Sequence, residues 1–295
     1  MKLLDGKALS ALRVESIAAE VAEFVGAGHA PPHLAAVIIG DDGASQTYVE
    51  HKVRKCAAAG FRSTLIQRSA ACTQEELLDI VAGLNTDPEL DGFIVQLPLP
   101  AHLDATAVIE AVDPAKDVDG FHPENMGRLA LGLDGFVPAT PAGIVQMLAH
   151  YGVETSGKHA VVIGRSDIVG TPMALLLSRN AAVGNCTVTL CHSRTEDLTS
   201  IVKQGDIVVA AVGRPGMVTA DMIKSGAVVI DVGITRVENP AAKRGYSLKG
   251  DVDFDGVSAV AGAITPVPGG VGPMTIVGLL ENTLKAAKNR ASVQA

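Results

Sequence analysis

His159-Ala160-Val161-Val162-Ile163-Gly164-Arg165-Ser166-Asp167-Ile168-Val169-Gly170 is the stretch that decides the fold. A short apolar run ends at a glycine, and a helical pattern opens at Gly170 and runs to Arg179. Strand, glycine turn and helix in that order begin a βαβ nucleotide-binding half. The turn is not a full G-x-G-x-x-G, because Ser166 stands at the second glycine. Gly164 can still make the tight turn, and Gly170 can let the helix lie close on the sheet. A helix N-terminus also offers N–H groups to a phosphate. Alone, such a stretch is as often only a turn as a binding loop.

Working outward, the pattern repeats. Strands are predicted at Thr187–Cys191, Asp206–Ala211 and Ala227–Val232, with a helix near Glu196–Lys203. Upstream, Thr140-Pro141 starts a helix to His150, and Asp113 to Gly135, rich in Asp, Pro and Gly, reads as the crossing between two lobes. The first half also alternates: helix Ala8–Val25, strand His33–Gly40, helix Ser45–Gly60, strand Phe61–Gln67, helix Thr73–Leu84, strand Gly92–Leu97. Such alternation implies largely parallel sheets covered by helices. The expected fold is α/β in two lobes, an N-terminal three-layer α/β domain and a Rossmann-like domain, with a cleft between them. The expected domains are 1–138 with a returning C-terminal helix in 273–295, and 139–272.

Composition bounds the function. The 295 residues are 47% hydrophobic, 19% charged and only 3% aromatic, so the cores must be aliphatic. A formal net charge of −8 without a long basic run argues against a nucleic-acid partner. No apolar stretch is long enough to span a membrane, and Met1 to Gly6 has no apolar leader core. Cys56, Cys72, Cys186 and Cys191 form no CxxC pair and read as reduced thiols in a cytoplasm. The eight histidines have no ligand spacing, so no metal is expected.

Three places carry chemistry. On the helix Ser45–Gly60, Tyr48 and Lys52 are i,i+4 neighbours, so a phenol and an amine share one face. A pocketed amine has a lowered pKa and can move protons near neutral pH, whereas an exposed one cannot. Gln96 stands where the chain leaves its strand, because Leu97-Pro98-Leu99-Pro100 cannot continue a ladder. That is the carboxyl end of a strand, where open α/β sheets bind ligands. The third place is the end of the second strand of the second lobe, Leu190-Cys191-His192-Ser193-Arg194-Thr195. An NAD site puts an acid there for the ribose 2′-OH. A hydroxyl and a guanidinium, with Arg165 near, suit a 2′-phosphate instead, so NADP is expected over NAD. An ordinary capping turn at Ser193 and Arg194 is the rival reading. Val212-Gly213 and Gly233-Ile234 follow later strands and allow close backbone approach, with Ile234 placed for the nicotinamide side.

Together these pieces resemble the bifunctional methylenetetrahydrofolate dehydrogenase/methenyltetrahydrofolate cyclohydrolase family (the FolD type). The resemblance rests on Tyr48-Val49-x-x-Lys52, Val95-Gln96-Leu97-Pro98-Leu99-Pro100, Pro114-x-Lys116-Asp117-Val118-Asp119-Gly120-Phe121, Gly164-Arg165-Ser166-x-Ile168-Val169-Gly170-x-Pro172, and Pro266-Val267-Pro268-Gly269-Gly270-Val271-Gly272-Pro273-Met274-Thr275. It implies NADP-dependent oxidation of 5,10-methylenetetrahydrofolate and hydrolysis of the methenyl product to 10-formyltetrahydrofolate, in the one-carbon metabolism that serves purine biosynthesis. It implies Lys52 as the proton-moving group, Tyr48 orienting it, Gln96 tuning its charge and Asp119 gripping the pterin. Leu97, Pro98, Pro268, Gly269 and Gly270 are implied to line the folate. Gly164, Arg165, Ser166, Ile168, Val169, Ser193, Arg194, Val212, Gly213, Gly233, Ile234, Gly272 and Thr275 are implied to hold NADP. A cytoplasmic homodimer is implied too.

Each role has a plainer rival: Gln96 as a strand cap, Asp117 and Asp119 as loop caps, and Pro268 to Pro273 as a tight connection. The chain departs from the family pattern at Ala139, where a Cys is common, at Thr171, where a basic residue is frequent, and at Asp167, which replaces a common Asn. A dehydrogenase without cyclohydrolase activity and a non-catalytic dinucleotide-binding protein are the alternatives. Lys52 argues against the first, and the intact Tyr48, Lys52, Gln96 and Asp119 set disfavours the second.

Overall fold

The computed structural model describes residues 1–40, 52–242 and 245–294. They divide into two units, one of Met1–Ser10 with Thr140–Thr275, the other of Ala11–Ala139 with Ile276–Ala295. The first ten residues, read from sequence as part of the N-terminal domain, group with the second-half sheet. The reason is β1 (Lys2–Leu3), which pairs in parallel with a late strand.

The smaller sheet has three parallel strands. Helix α1 (Gly6–Gly26) leads to β2 (His33–Ile39), a helix α2 at residues 52–58, β3 (Arg62–Arg68), α3 (Gln74–Thr86) and β4 (Gly92–Val95). The order is β3-β2-β4. Every residue of β2 is buried, as its apolar run demands of a central strand covered on both faces. β3 is the exposed edge. Ala35, Val37, Phe93, Leu77, Val81 and Val108 share one core. A capping box of Thr73 and Glu76 starts α3.

The segment expected to be only a crossing holds structure. After α4 (Ala105–Ala111), α5 (Pro123–Leu131) starts with Pro123 in its first turn, is capped by His122 and ends at Gly132 with φ 70°. Proline early and a left-handed glycine after the last turn are ordinary helix bounds, here inside a loop-like composition.

The buried Asp91 carboxylate accepts from the His33 N–H at 2.8 Å and from Arg290 Nε at 2.7 Å. It thereby joins β2 to the last helix. Arg290→Met leaves that carboxylate without its cation, and a cost of about 3 kcal/mol is expected, read as a lower urea midpoint.

The larger sheet has six parallel strands in the order β1-β11-β8-β7-β5-β6. The elements of this unit run α6 (Ala139–His150), β5 (His159–Ile163), α7 (Gly170–Ser178), β6 (Thr187–Cys191), α8 (Leu198–Val202), β7 (Ile207–Ala210), β8 (Val228–Asp231), the hairpin β9 (Thr235–Glu238) and β10 (Tyr246–Lys249), which is a separate antiparallel two-stranded sheet, α9 (Phe254–Ser258) and β11 (Ala263–Ile264). The last helix, α10 (Val271–Gln294), starts two residues before the expected Pro273. Val161, Ile163, Val208, Ala210, Val229 and Ile264 form the aliphatic core. Neighbouring β5 and β7 are joined to the rest of the sheet on opposite sides, which makes their carboxyl ends the switch point where such sheets bind ligands. Among the described residues no helix is long and apolar enough to cross a membrane.

Candidate active site

In the three-stranded unit, Lys52 opens the described part of α2 and is 5% exposed. Its Nζ donates to Gln96 Oε1 at 3.1 Å. Gln96 follows β4, and its Nε2 donates to the Leu97 carbonyl at 2.7 Å. With the amide nitrogen so engaged, the amide oxygen is the end that faces the amine. The Leu97–Pro98 peptide is cis, and Pro98 is exposed.

Asp117 and Asp119 separate sharply. Asp117 is buried and scaffolds its own loop. Its Oδ1 accepts from Gly120 N at 3.0 Å and Phe121 N at 3.2 Å, its Oδ2 from His122 N at 2.8 Å and Asn125 Nδ2 at 2.9 Å. Asn282 ties the same loop to α10 by donating to the carbonyls of Val118 and Val137 at 2.9 and 2.8 Å. Asp119 hydrogen-bonds to nothing among the described residues and lines a small pocket with Val95, Leu97, Asp117 and Phe121. The loop-cap reading therefore holds for Asp117.

Electrostatics link the group. Burial holds Lys52 below the ordinary lysine range, while the charge of Asp119 opposes that shift. Burial pushes the Asp119 carboxyl up to about 6, with Lys52 pulling it down and Asp117 raising it further. Cys56, one helical turn beyond Lys52, was not singled out from sequence, although its i,i+4 spacing was there to read. Burial lifts its thiol to about 12 against the pull of Lys52, so it stays uncharged. An amine that burial shifts toward its neutral form, beside a carboxylate with free acceptors, can move protons while the carboxylate grips a forked donor. Tyr48 lies outside the described residues.

In the six-stranded unit, Gly164 has φ +115°, and a Cβ there would run into the Ala211 carbonyl. A Cβ on Gly170 would strike the Gly164 carbonyl. The two glycines thus let loop, helix and neighbouring strand end meet closely. The donors are distributed differently from expectation. Ser166 Oγ accepts from Val169 N and Gly170 N at 3.2 and 3.4 Å, and the Ser166 carbonyl takes Thr171 N at 3.0 Å. The first helical N–H groups are therefore occupied, because the serine caps its own helix. The N–H groups of residues 165–168 have no partner among the described residues, and those four residues are exposed. Thr171 Oγ1 reaches back to the Arg165 carbonyl at 3.3 Å and braces the loop. At the end of β6, Thr195 Oγ1 caps His192 N at 2.8 Å, while Ser193 and Arg194 stay exposed with unpartnered side chains among the described residues. The capping in that turn falls to Thr195 and to His192, whose Nδ1 accepts from Arg194 N at 3.2 Å. Free loop donors over a glycine cradle, with an unpaired guanidinium and hydroxyl on the next strand, fit a phosphorylated dinucleotide.

The other expected positions spread over the same unit. Val212 and Gly213 follow β7, and the buried Gly233 and exposed Ile234 follow β8. Pro268, Gly269 and Gly270 follow β11 after a cis Val267–Pro268 peptide. Gly272 and Thr275 lie in the first turns of α10, and Thr275 Oγ1 meets Thr140 Oγ1 at 3.0 Å.

Residues 4–119 match the family description "Tetrahydrofolate dehydrogenase/cyclohydrolase, catalytic domain" and residues 138–291 its "NAD(P)-binding domain". The chain belongs to the tetrahydrofolate dehydrogenase/cyclohydrolase family. A bifunctional protein FolD of Flavobacterium johnsoniae is 56% identical over 292 residues, 99% of both chains. One from Bacteroides fragilis is 55% identical over 288 residues, 98% of both. Among solved structures, the Campylobacter jejuni FolD enzyme superposes with a TM-score of 0.91 at 45% identity, over 98% of this chain and 99% of that one. The Trypanosoma brucei enzyme, complexed with NADP cofactor and inhibitor, gives 0.92 at 43% identity, over 99% and 98%. As a dehydrogenase/cyclohydrolase, the chain carries a catalytic domain and an NAD(P)-binding domain, and the Lys52 group lies within the first of the two matched segments.

Proposed function

We propose that the chain oxidises 5,10-methylenetetrahydrofolate with NADP and hydrolyses the methenyl product to 10-formyltetrahydrofolate, with Lys52 as the proton-moving residue of the second step. The observation that carries the reading is the buried Lys52 amine, bonded to Gln96 and facing the charge of Asp119.

The bound nicotinamide supplies a hydride acceptor. The methylene carbon lies between two nitrogens that stabilise the cation it becomes, so the protein's part in that step is positioning. Asp119 accepts from the pterin amino and ring N–H groups and fixes the folate. In the second step water adds to the amidinium carbon. Neutral Lys52 takes a proton from that water and returns one to N5 as the C–N5 bond breaks, and a second proton leaves as the formyl C=O forms. Gln96 Oε1 holds the amine in place through the cycle. Tyr48 is assigned to orient Lys52.

Arg165 to Ile168 are assigned to the pyrophosphate, and Ser193 and Arg194 to a 2′-phosphate. Arg194→Ala is expected to raise KM for NADP roughly 10- to 100-fold, the worth of a charge-assisted hydrogen bond, and to leave KM for NAD nearly unchanged. Initial rates with both cofactors, followed at the methenyl absorbance, check this. Faster use of NAD by the unaltered chain would overturn the NADP assignment. The same reading takes the working form as a cytoplasmic homodimer without nucleic-acid or membrane partners, and sedimentation tests the dimer.

A further inference from the structure

The turn after β7 spends its backbone donors inward. Asp251 is fully buried, and its carboxylate accepts from Val212 N at 2.6 Å, Gly213 N at 3.0 Å and Arg214 N at 2.7 Å. A second buried carboxylate, Asp231 at the end of β8, accepts from Asp251 N at 2.8 Å, Val252 N at 3.0 Å and Gly233 N at 3.0 Å. The Asp231 N–H in turn donates to Thr265 Oγ1 at 2.7 Å, just past β11. Three neighbouring strand ends are thus fastened through two acids.

The packing leaves no slack. A Cβ on Gly233 would strike the Asp251 carboxylate, and one on Gly250 would strike that of Asp231. Two neighbouring carboxylates buried in a sheet end are costly unless their lone pairs are filled. Burial pushes Asp231 up to about 6 even with its backbone donors pulling it down, so the cost is visible. A connection that only had to close would do so with neutral groups.

Counting donors says what the turn can offer. The three N–H groups are consumed, while the carbonyls of Val212 and Gly213 accept nothing among the described residues. The turn lies against the phosphate-type loop, since Ala211 abuts Gly164. We infer that Asp251 is a positioning residue for the dinucleotide: it turns the Val212–Arg214 N–H groups inward, so that this strand end meets the cofactor as a row of carbonyl acceptors for its hydroxyl and amide donors, leaving phosphate binding to residues 165–168. This rests on the dinucleotide reading above.

The test is Asp251→Asn, whose single oxygen can serve at most two of the three N–H groups. NADPH is titrated by its fluorescence, and the dehydrogenase KM for NADP and for methylenetetrahydrofolate are measured separately. A rise of about tenfold in the NADPH Kd and the NADP KM, with the folate KM within twofold, is expected. Unchanged NADPH affinity, or a parallel rise of both KM values, would overturn the inference. Should the variant fail to fold, amide exchange on the unaltered apo chain decides. Val212, Gly213 and Arg214 protected like the amides of β7 support the clamp, and free exchange there overturns it. Failure of the unaltered chain to bind NADPH counts instead against the dinucleotide reading, so the two failures are separable.

Discussion

Lys52→Met is expected to abolish the hydrolysis and spare the oxidation. Methionine keeps the length of the side chain and removes the amine. Proton transfer by a placed group contributes about 10²–10⁴-fold, and the second step should fall by that much. Hydride transfer needs the folate held and little else, so it should stay within about tenfold. In an assay started with methylenetetrahydrofolate and NADP, the methenyl absorbance should rise and then persist, where the unaltered enzyme lets it decay. The pH profile carries a second sign. Burial lowers the Lys52 pKa, and the proposed proton transfer needs the neutral amine. Hydrolysis should therefore climb with pH through that lowered pKa and level off above it, while the variant shows no such limb. Decay of the methenyl product at the unaltered rate would remove Lys52 from the mechanism.

Much of the fold was legible because its periodicities are strong. The apolar runs of β2, β5 and β7 are continuous, as strands buried on both faces require. What escaped the reading is short or is decided by partners. β1 and β11 have two residues each and exist only because they pair with one another and with β8. The Thr235–Glu238 and Tyr246–Lys249 hairpin is likewise too short to outweigh the polar residues around it. α5 was hidden by the Asp, Pro and Gly around it, although Pro123 and Gly132 marked both of its ends.

The site was legible to a different depth. Lys52 and Gln96 lie 44 positions apart, and one sits on a helix, the other at a strand end. No local pattern joins them. Their motifs did, through the family resemblance, and the hydrogen bond gives that resemblance a geometry. The division of labour between Asp117 and Asp119 could not be read from Asp-Val-Asp-Gly, since either residue can cap a turn. Four donors converging on Asp117 make that residue the loop cap. Asp251 carried no signal at all, because an acid after a glycine looks like any turn until its buried partners are seen. At Ser166 the departure from glycine has a visible effect: the hydroxyl caps α7 and moves the free N–H groups earlier in the loop.

That division yields the second large effect. Asp119→Asn should lower kcat/KM for folate by about 100-fold or more in both steps, because the amide puts an N–H₂ where the pterin also presents a donor. The same change should stabilise the protein. The Asp119 carboxyl is raised by burial to about 6, above the carboxylate value of an unfolded chain. The folded state therefore holds the proton more tightly, and stability falls as pH rises from about 4 to about 6 and is flat beyond. At pH 8 the ionised group should cost on the order of 1–3 kcal/mol, which asparagine relieves. Urea unfolding at pH 8 should show a higher midpoint for the variant, and the loss between pH 4 and 6 should be smaller in it. Asp117→Asn is the contrast: it replaces one of two oxygens that each hold two donors, and it should lower the midpoint. A drop in midpoint for Asp119→Asn with folate KM unmoved would make Asp119 a loop cap like its neighbour. A gain in stability bought with lost turnover is the signature of a charge kept for its substrate.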